Sequence, residues 1–495
     1  MHVLAIDQGT TGSTCLVVAR DGRVVGRGYR EITQHYPQPG WVEHDATELL
    51  TRTLESAREA VATAGVTPSA IGITNQRETV VLWDRHTGQP VHRAIVWQDR
   101  RTAARCAELA GDAARITART GLVVDPYFSA TKLEWLLSQP AIAERAGRGE
   151  LLAGTVDSWL IWNLTDRREH VTDFTNASRT MLFDIDARRW SDELCGLFGV
   201  PRALLPEVRQ SSGSFGVAHA RFLGAEVPIT GVAGDQQAAL FGQGCWQAGE
   251  GKNTYGTGAF LLLNTADLRP EPGGGLLATL ACDPAGGPVY ALEAAIFIAG
   301  AAVQWLRDGL GIIASAAETE ALARGIPSTD GVYFVPALVG LGAPNWEPAA
   351  RGTIVGLTRG TTRAHLARAA LEAMAYGTAD VLAVMRARSG GSAAGSTAAG
   401  LRVDGGATEN GWLMQFQADL LGVPVERPDV VETTALGAAG LAGIAAGVWQ
   451  SADDFLARRR FTRFVPGEGA PAARAGAAGW ARAVRAALAW ARDGA

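Results

Sequence analysis

One plan occurs twice in this chain and narrows its possible folds more than any other feature. "VLAIDQGTTGSTCLVV", Val3 to Val18, reads as strand, turn of glycines and small hydroxyls, strand, and "GKNTYGTGAFLLLN", Gly251 to Asn264, repeats it in mid-chain. Each turn presents backbone N–H groups and short side chains in a concave loop, which grips phosphate without bulky residues. Two such hairpins, each opening one half of the chain, predict two related domains facing each other across a cleft. The boundary is expected between Gly242 and Gly249, giving domains 1–244 and 245–495.

The length of 495 residues supports that division, since it suits two domains of roughly 240 residues better than one. Short apolar strands such as "VLAID", "AIGIT" and "VVLWD" alternate with helical stretches such as Thr47 to Ala64, an α/β pattern. Asp45 suits the N-cap of that helix, with Glu48 completing a capping box, so capping accounts for Glu43, His44 and Asp45. The run "TALGAAGLAGIAAGVW", Thr434 to Trp449, is too short for a membrane span and reads as a closely packed buried helix. Ser389 to Gly400, "SGGSAAGSTAAG", reads as a flexible surface loop. Trp480, Val484, Leu488 and Ala491 fall on one face of an amphipathic docking helix.

Composition excludes several functions. A net charge of −5 argues against a nucleic-acid surface, and Arg458 to Arg460 reads as a solvated strand edge. The five cysteines are scattered without metal-ligand spacing, as expected of reduced thiols in a cytoplasmic protein. Met1 passes straight into a strand, so no secretion signal is expected, and neither is membrane insertion.

In "AIGITNQRETVVLWD", Ala70 to Asp84, five polar residues separate two strands that both read as buried. Arg77 and Glu78 therefore fall at a strand end near the interior, where a charge needs a partner. Asp7 also closes a strand, beside the hydroxyl-rich turn Thr10, Thr11; that setting suits either a turn cap or a Mg²⁺ bridged to phosphate oxygens. In "ITGVAGDQQAALFGQG" a second strand-end acid, Asp235, and Gln236 stand where a helix begins. An N-cap explains Asp235 alone, but a phosphoryl transferase needs one acid for metal and one for the attacking hydroxyl. "LRVDGGATENG" supplies a third strand-to-helix turn, in which Gly405 and Gly406 let backbone approach a nucleotide and Asn410 can reach the nucleoside, although capping explains an Asp-Gly-Gly turn as often. Trp97, Tyr127 and Phe260 lie beside polar turns, where pocket walls are built.

Taken in order, "DQGTTGS", "GITNQRET", "AIVWQDRRT", "DPYFSATKLEWLL", "TNASRTMLF", "AGDQQAALFGQ", "NTYGTGAF", "RGTIVGLTRG" and "LRVDGGATENGWLMQFQADLLG" resemble the glycerol-phosphorylating branch of the FGGY carbohydrate kinase family over nearly the whole chain. The resemblance implies two ribonuclease-H-like domains of the actin-like ATPase superfamily, closing over ATP and glycerol. It implies ATP-dependent formation of sn-glycerol 3-phosphate, with Asp235 as general base. Arg77, Glu78, Tyr127, Asp235 and Gln236 would bind the polyol, with Trp97 and Phe260 as apolar walls. Thr10, Thr11, Gly256, Thr257, Gly300, Gln304, Gly406 and Asn410 would hold the nucleotide, and Asp7 would face Mg²⁺. A homodimer or homotetramer is the implied assembly.

Three segments depart from the family pattern. Thr14 stands where the first turn usually carries an Arg. "LGAEVPI" places Glu226 where enzymes inhibited by fructose 1,6-bisphosphate have an Arg, so no such inhibition is expected. "VGLGAPNW" replaces the usual "TGLGAPYW". Two other readings are a kinase for another polyol or a ketose such as dihydroxyacetone or xylulose, and a catalytically silent ATP-binding module. The complete polyol set argues against the first, and retention of Asp7 and Asp235 against the second.

Overall fold

The computed structural model describes residues 1–389 and 400–493; the expected surface loop at Ser389 to Gly400 lies almost wholly outside them. The chain forms two compact α/β units. The first comprises Met1–Trp246, Ala278–Tyr290 and Thr433–Arg459, and the second Gln247–Leu277, Ala291–Glu432 and Arg460–Ala495. The first unit thus draws in two segments from beyond residue 244, Ala278–Tyr290 and Thr433–Arg459.

The first unit is built on a six-stranded sheet. Its strands are β1 (His2–Gln8), β2 (Gly12–Ala19), β3 (Val24–Glu31), β4 (Ala70–Asn75), β5 (Val217–Ala218) and β6 (Val227–Gly234), in the order β5-β6-β4-β1-β2-β3. β1 and β2 form the expected hairpin, with Asp7 opposite Thr14, and β1 runs parallel to β4 with Asp7 beside Thr74. β4 and β6 are also parallel, so Asp7, Asn75 and Gly234 all finish at the same edge of the sheet. The strands are buried on both faces, which is why they read as continuous apolar runs.

Helices explain that double burial. Ala46–Ala64 covers β2 and β3; Asp45 caps it by accepting from Thr47 N (2.8 Å) and Glu48 N (3.2 Å). The Glu48 half of the expected capping box is absent, because its carboxylate accepts from Thr33 Oγ1 at 3.0 Å instead. The glycine- and alanine-rich helix, Thr433–Ala445, lies against β4, β6 and β1. It docks so closely that a Cβ on Gly72 would sit 2.1 Å from Ala438 O, and one on Gly437 1.8 Å from Ala238 O. Small residues on both surfaces make this contact, and it carries Thr433–Arg459 back to the first unit.

The second unit repeats the core. β7 (Gly251–Tyr255) and β8 (Ala259–Ala266) form the second hairpin, and β7 runs parallel to β9 (Leu401–Asp404), with Thr254 beside Asp404. β10 (Val425–Pro428) and β11 (Phe461–Phe464) extend the sheet on that side. The C-terminal helix, Ala470–Asp493, docks as its periodicity predicts: Trp480 stacks on Tyr376 at 5.5 Å and donates to Asp380 Oδ2 at 2.7 Å.

Candidate active site

The interrupted strand pair around "NQRET" becomes a tight turn. β4 stops at Asn75, Thr79 N donates to Arg77 O at 2.7 Å, and Glu78 between them has φ 63°, a region disfavoured for residues with a Cβ. Arg77 and Glu78 are 3% and 1% exposed, so their charges must be met within the protein. Arg77 Nε lies 3.1 Å from Asp235 Oδ1 and 3.8 Å from Glu78 Oε1, while its terminal nitrogens donate to Gln237 Oε1 (3.3 Å) and Tyr127 OH (3.4 Å). Glu78 Oε1 in turn accepts from Arg179 Nε at 2.7 Å. Two cations and two carboxylates thus alternate, an arrangement that keeps buried charges tolerable.

Asp235 is the exposed member of this chain, with about a third of its side chain accessible. It opens the helix Asp235–Gly242, but Gly234 takes the N-cap position and the carboxylate caps neither of the next free N–H groups beyond Gln236 N, at 2.7 Å. Capping, sufficient on sequence grounds, is therefore not what Asp235 does. Gly234 has a second function: a Cβ there would lie 2.7 Å from Arg77 Cγ and Cδ, so only glycine leaves the guanidinium room beside Asp235.

Trp97 and Tyr127 meet edge to face at 5.5 Å, beside this cluster. Tyr127 is held by Lys132, whose ammonium donates to three successive carbonyls, Pro126 O, Tyr127 O and Phe128 O, at 2.5, 2.8 and 3.2 Å. Burial lowers the Lys132 pKa to about 8, which leaves it protonated at neutral pH, as three acceptors require. Asp7 sits at the end of β1. Burial first, and then the Asp235 carboxylate, push its pKa up to about 7.

The first unit thus brings together Arg77, Glu78, Trp97, Tyr127, Asp235, Gln236 and Asp7, with Thr10 and Thr11 in the β1–β2 turn. Phe260 belongs to the second unit, on β8 opposite Thr254. Arg179, Gln237 and Lys132 were not singled out from the sequence. The available signal was "TNASRTMLF", where a lone Arg179 in a small and apolar stretch is fully buried and needs an acid.

The other six residues of the expected nucleotide set, Gly256, Thr257, Gly300, Gln304, Gly406 and Asn410, line one cavity of about 560 Å³ in the second unit. That volume suits a nucleotide-sized ligand. Gly405, before it, has φ 89° and would place a Cβ 2.2 Å from Tyr255 O, whereas a Cβ on Gly406 would meet nothing and enter open space. Asn410 both lines the cavity and caps the helix Gly411–Leu421, accepting from Leu413 N at 2.9 Å and donating to Thr319 Oγ1 at 3.2 Å. Among the described residues no group of three or more His, Cys, Asp and Glu side chains could hold a metal by itself, and no helix is long and apolar enough to cross a membrane.

The chain is similar along its length to proteins of known class. It is 55% identical to a glycerol kinase of Acidovorax sp. (strain JS42) over 94% of this chain and 95% of that protein, and 54% identical to a glycerol kinase of Burkholderia vietnamiensis over 99% of each. Its structure matches that of Plasmodium falciparum glycerol kinase with ADP at a TM-score of 0.91, with 35% identity and 98% of both chains covered. It matches xylulose kinase from Rhodospirillum rubrum at 0.87, with 25% identity over 99% of this chain and 100% of that one. Residues 2–242 match the N-terminal domain and 251–446 the C-terminal domain of one family, and the chain belongs to it: the FGGY family of carbohydrate kinases.

Proposed function

We propose that the chain transfers the γ-phosphoryl group of ATP to a terminal hydroxyl of glycerol, forming sn-glycerol 3-phosphate. The observation that carries this reading is the alternating cluster Asp235, Arg77, Glu78, Arg179, with Asp235 its accessible end. The full-length likeness to glycerol kinases supports the same acceptor.

Glycerol offers three hydroxyls and almost no shape, so recognition rests on fixed donors and acceptors. Arg77 supplies donors and Glu78 acceptors, each held by a second buried partner. A site of this kind rejects analogues that leave its polar groups unpaired. Trp97, Tyr127 and Phe260 would cover the carbon backbone. Asp235 takes the proton of the attacking hydroxyl, and Arg77 beside it keeps the carboxylate directed. In a loose phosphoryl-transfer transition state, placement of the nucleophile contributes more than base strength.

The second-unit cavity would take the nucleotide, with Gly406 admitting it and Thr10 and Thr11 facing the phosphates. Asp7 and Asp235 put two carboxylates in mutual repulsion, a donor set that fits Mg²⁺ shared with phosphate oxygens and water. When bound, that ion would neutralise charge developing on the transferred group. The assay that tests this reading is coupled ATP turnover across a panel of polyols and ketoses, with Asp235→Asn as control. Turnover that needs glycerol and vanishes in the variant supports it. Turnover with dihydroxyacetone or xylulose instead transfers the same chemistry to another acceptor.

A further inference from the structure

A closed ring of hydrogen bonds in the first unit passes twice through Thr10. The Trp97 indole Nε1 donates to Thr10 Oγ1 at 2.9 Å, and Trp97 N donates to Thr79 Oγ1 at 3.2 Å. Thr79 Oγ1 donates to Gln76 Oε1 at 2.8 Å, and Gln76 Nε2 reaches His44 Nδ1 at 3.4 Å. His44 Nε2 meets Gln34 Oε1 at 2.8 Å, and Gln34 Nε2 returns to Thr10 O at 2.7 Å. Both polar ends of Thr10 are therefore held by one network, which also carries Gln76 and Thr79 on either side of Arg77 and Glu78.

An indole N–H can only donate, whereas a threonine hydroxyl has one proton and two lone pairs. The bond from Trp97 fills a lone pair and leaves the Thr10 proton to go elsewhere. Among the described residues that O–H has no protein acceptor. We infer that Trp97, beyond walling the acceptor subsite, is a positioning residue for the phosphate turn: its N–H fixes the Thr10 hydroxyl as a donor aimed at a phosphate oxygen. The inference rests on Thr10 facing phosphate in the phosphoryl-transfer reading. It joins the two subsites, because Trp97 also packs on Tyr127, which bonds Arg77.

A double-mutant cycle of Trp97→Phe with Thr10→Val tests it. Two readouts are kcat/KM for MgATP at saturating glycerol, and the calorimetric affinity for the magnesium complex of a non-hydrolysable ATP analogue without acceptor. Trp97→Phe is expected to lower both by about 10-fold with Thr10 present and by under about 2-fold in the Thr10→Val background, the size of one net hydrogen bond. Thr10→Ser, which keeps the hydroxyl, should restore the full sensitivity. Equal losses in both backgrounds, or a change confined to the glycerol KM, would overturn the inference. Thr10→Ala replaces Thr10→Val in the cycle if the valine variant melts early. If glycerol is the wrong acceptor, wild-type turnover with it fails while the analogue titrations still decide the coupling.

Discussion

Arg77 and Asp235 stand 3.1 Å apart at the ends of two neighbouring parallel strands, one charge fully buried and the other reaching the surface. This pair converts a costly buried cation into the support of an accessible carboxylate. Asp235→Asn keeps shape and most contacts but removes the proton acceptor. The expected result is a kcat loss of roughly 10² to 10⁴-fold with a much smaller change in glycerol KM. Steady-state kinetics decide it, and a variant retaining more than a tenth of kcat would remove Asp235 from the base role.

Gly234 gives the same pair a steric test. Its backbone, φ −61° and ψ 151°, is open to any residue, so Gly234→Ala introduces no backbone strain. The new methyl would instead meet Arg77 Cγ and Cδ at 2.7 Å and push the guanidinium off Asp235. We expect a folded protein whose glycerol kcat/KM drops by at least about 10-fold, since displacements near 1 Å carry penalties of that order or more. Unchanged kinetics would mean Arg77 has slack that the packing does not show.

The fold and the site were legible to different depths. The two hairpins, the strand-end acids and the glycine turn at Gly405 and Gly406 were readable because each is a local pattern dictated by backbone geometry. The Thr434 to Trp449 composition announced close packing but not its partner, since Gly72 and Gly231 lie in another part of the sequence. Arg179 is illegible locally for the same reason: its role is fixed by Glu78, a contact that no local period encodes. Of Glu43, His44 and Asp45 only Asp45 caps the helix; His44 is a buried member of the hydrogen-bond ring through Thr10, and Glu43 partners the buried Arg101 guanidinium, contacts set by residues distant in sequence.

The helix contact yields a stability prediction in which two effects oppose each other. Replacing a helical glycine by alanine normally stabilises by about 1 kcal/mol through backbone entropy. At Gly437, however, the added Cβ would sit 1.8 Å from Ala238 O, and overpacking costs typically about 1–3 kcal/mol or more. Because backbone meets backbone there, relief requires the helix Thr433–Ala445 to move away from the helix Asp235–Gly242, and the steric term wins. Urea unfolding of Gly437→Ala should show a lower midpoint than wild type; a higher one would mean the two helices seat less tightly on each other than the packing indicates.

The nucleotide cavity separates binding from stability through two adjacent glycines. A side chain on Gly406 enters the cavity without touching protein, so Gly406→Leu should raise the ATP KM by about 10-fold or more while leaving the melting temperature within a few degrees. Gly405→Ala, at φ 89° and against Tyr255 O, should lower stability first. Finding the two phenotypes exchanged would show that the cavity is not where ATP binds.

His44 makes acid sensitivity attributable to one residue. Burial, and to a smaller degree His35, lower its pKa from 6.5 to about 4, and Gln34 and Gln76 match the neutral ring. Between those two values the unfolded chain binds more protons than the folded one, so stability falls as pH drops from about 6.5 towards 4 and is unaffected above that window. The full cost approaches about 3 kcal/mol by the conversion of 1.36 kcal/mol for each pKa step. His170, whose pKa burial also lowers to about 4, adds a similar slope, so the useful quantity is a difference between proteins. Urea midpoints measured from pH 7 to pH 4.5 should decline less steeply in His44→Asn than in wild type, even if the variant starts lower for loss of the ring. Parallel declines would mean that His44 takes up its proton in the folded state as readily as in the unfolded one.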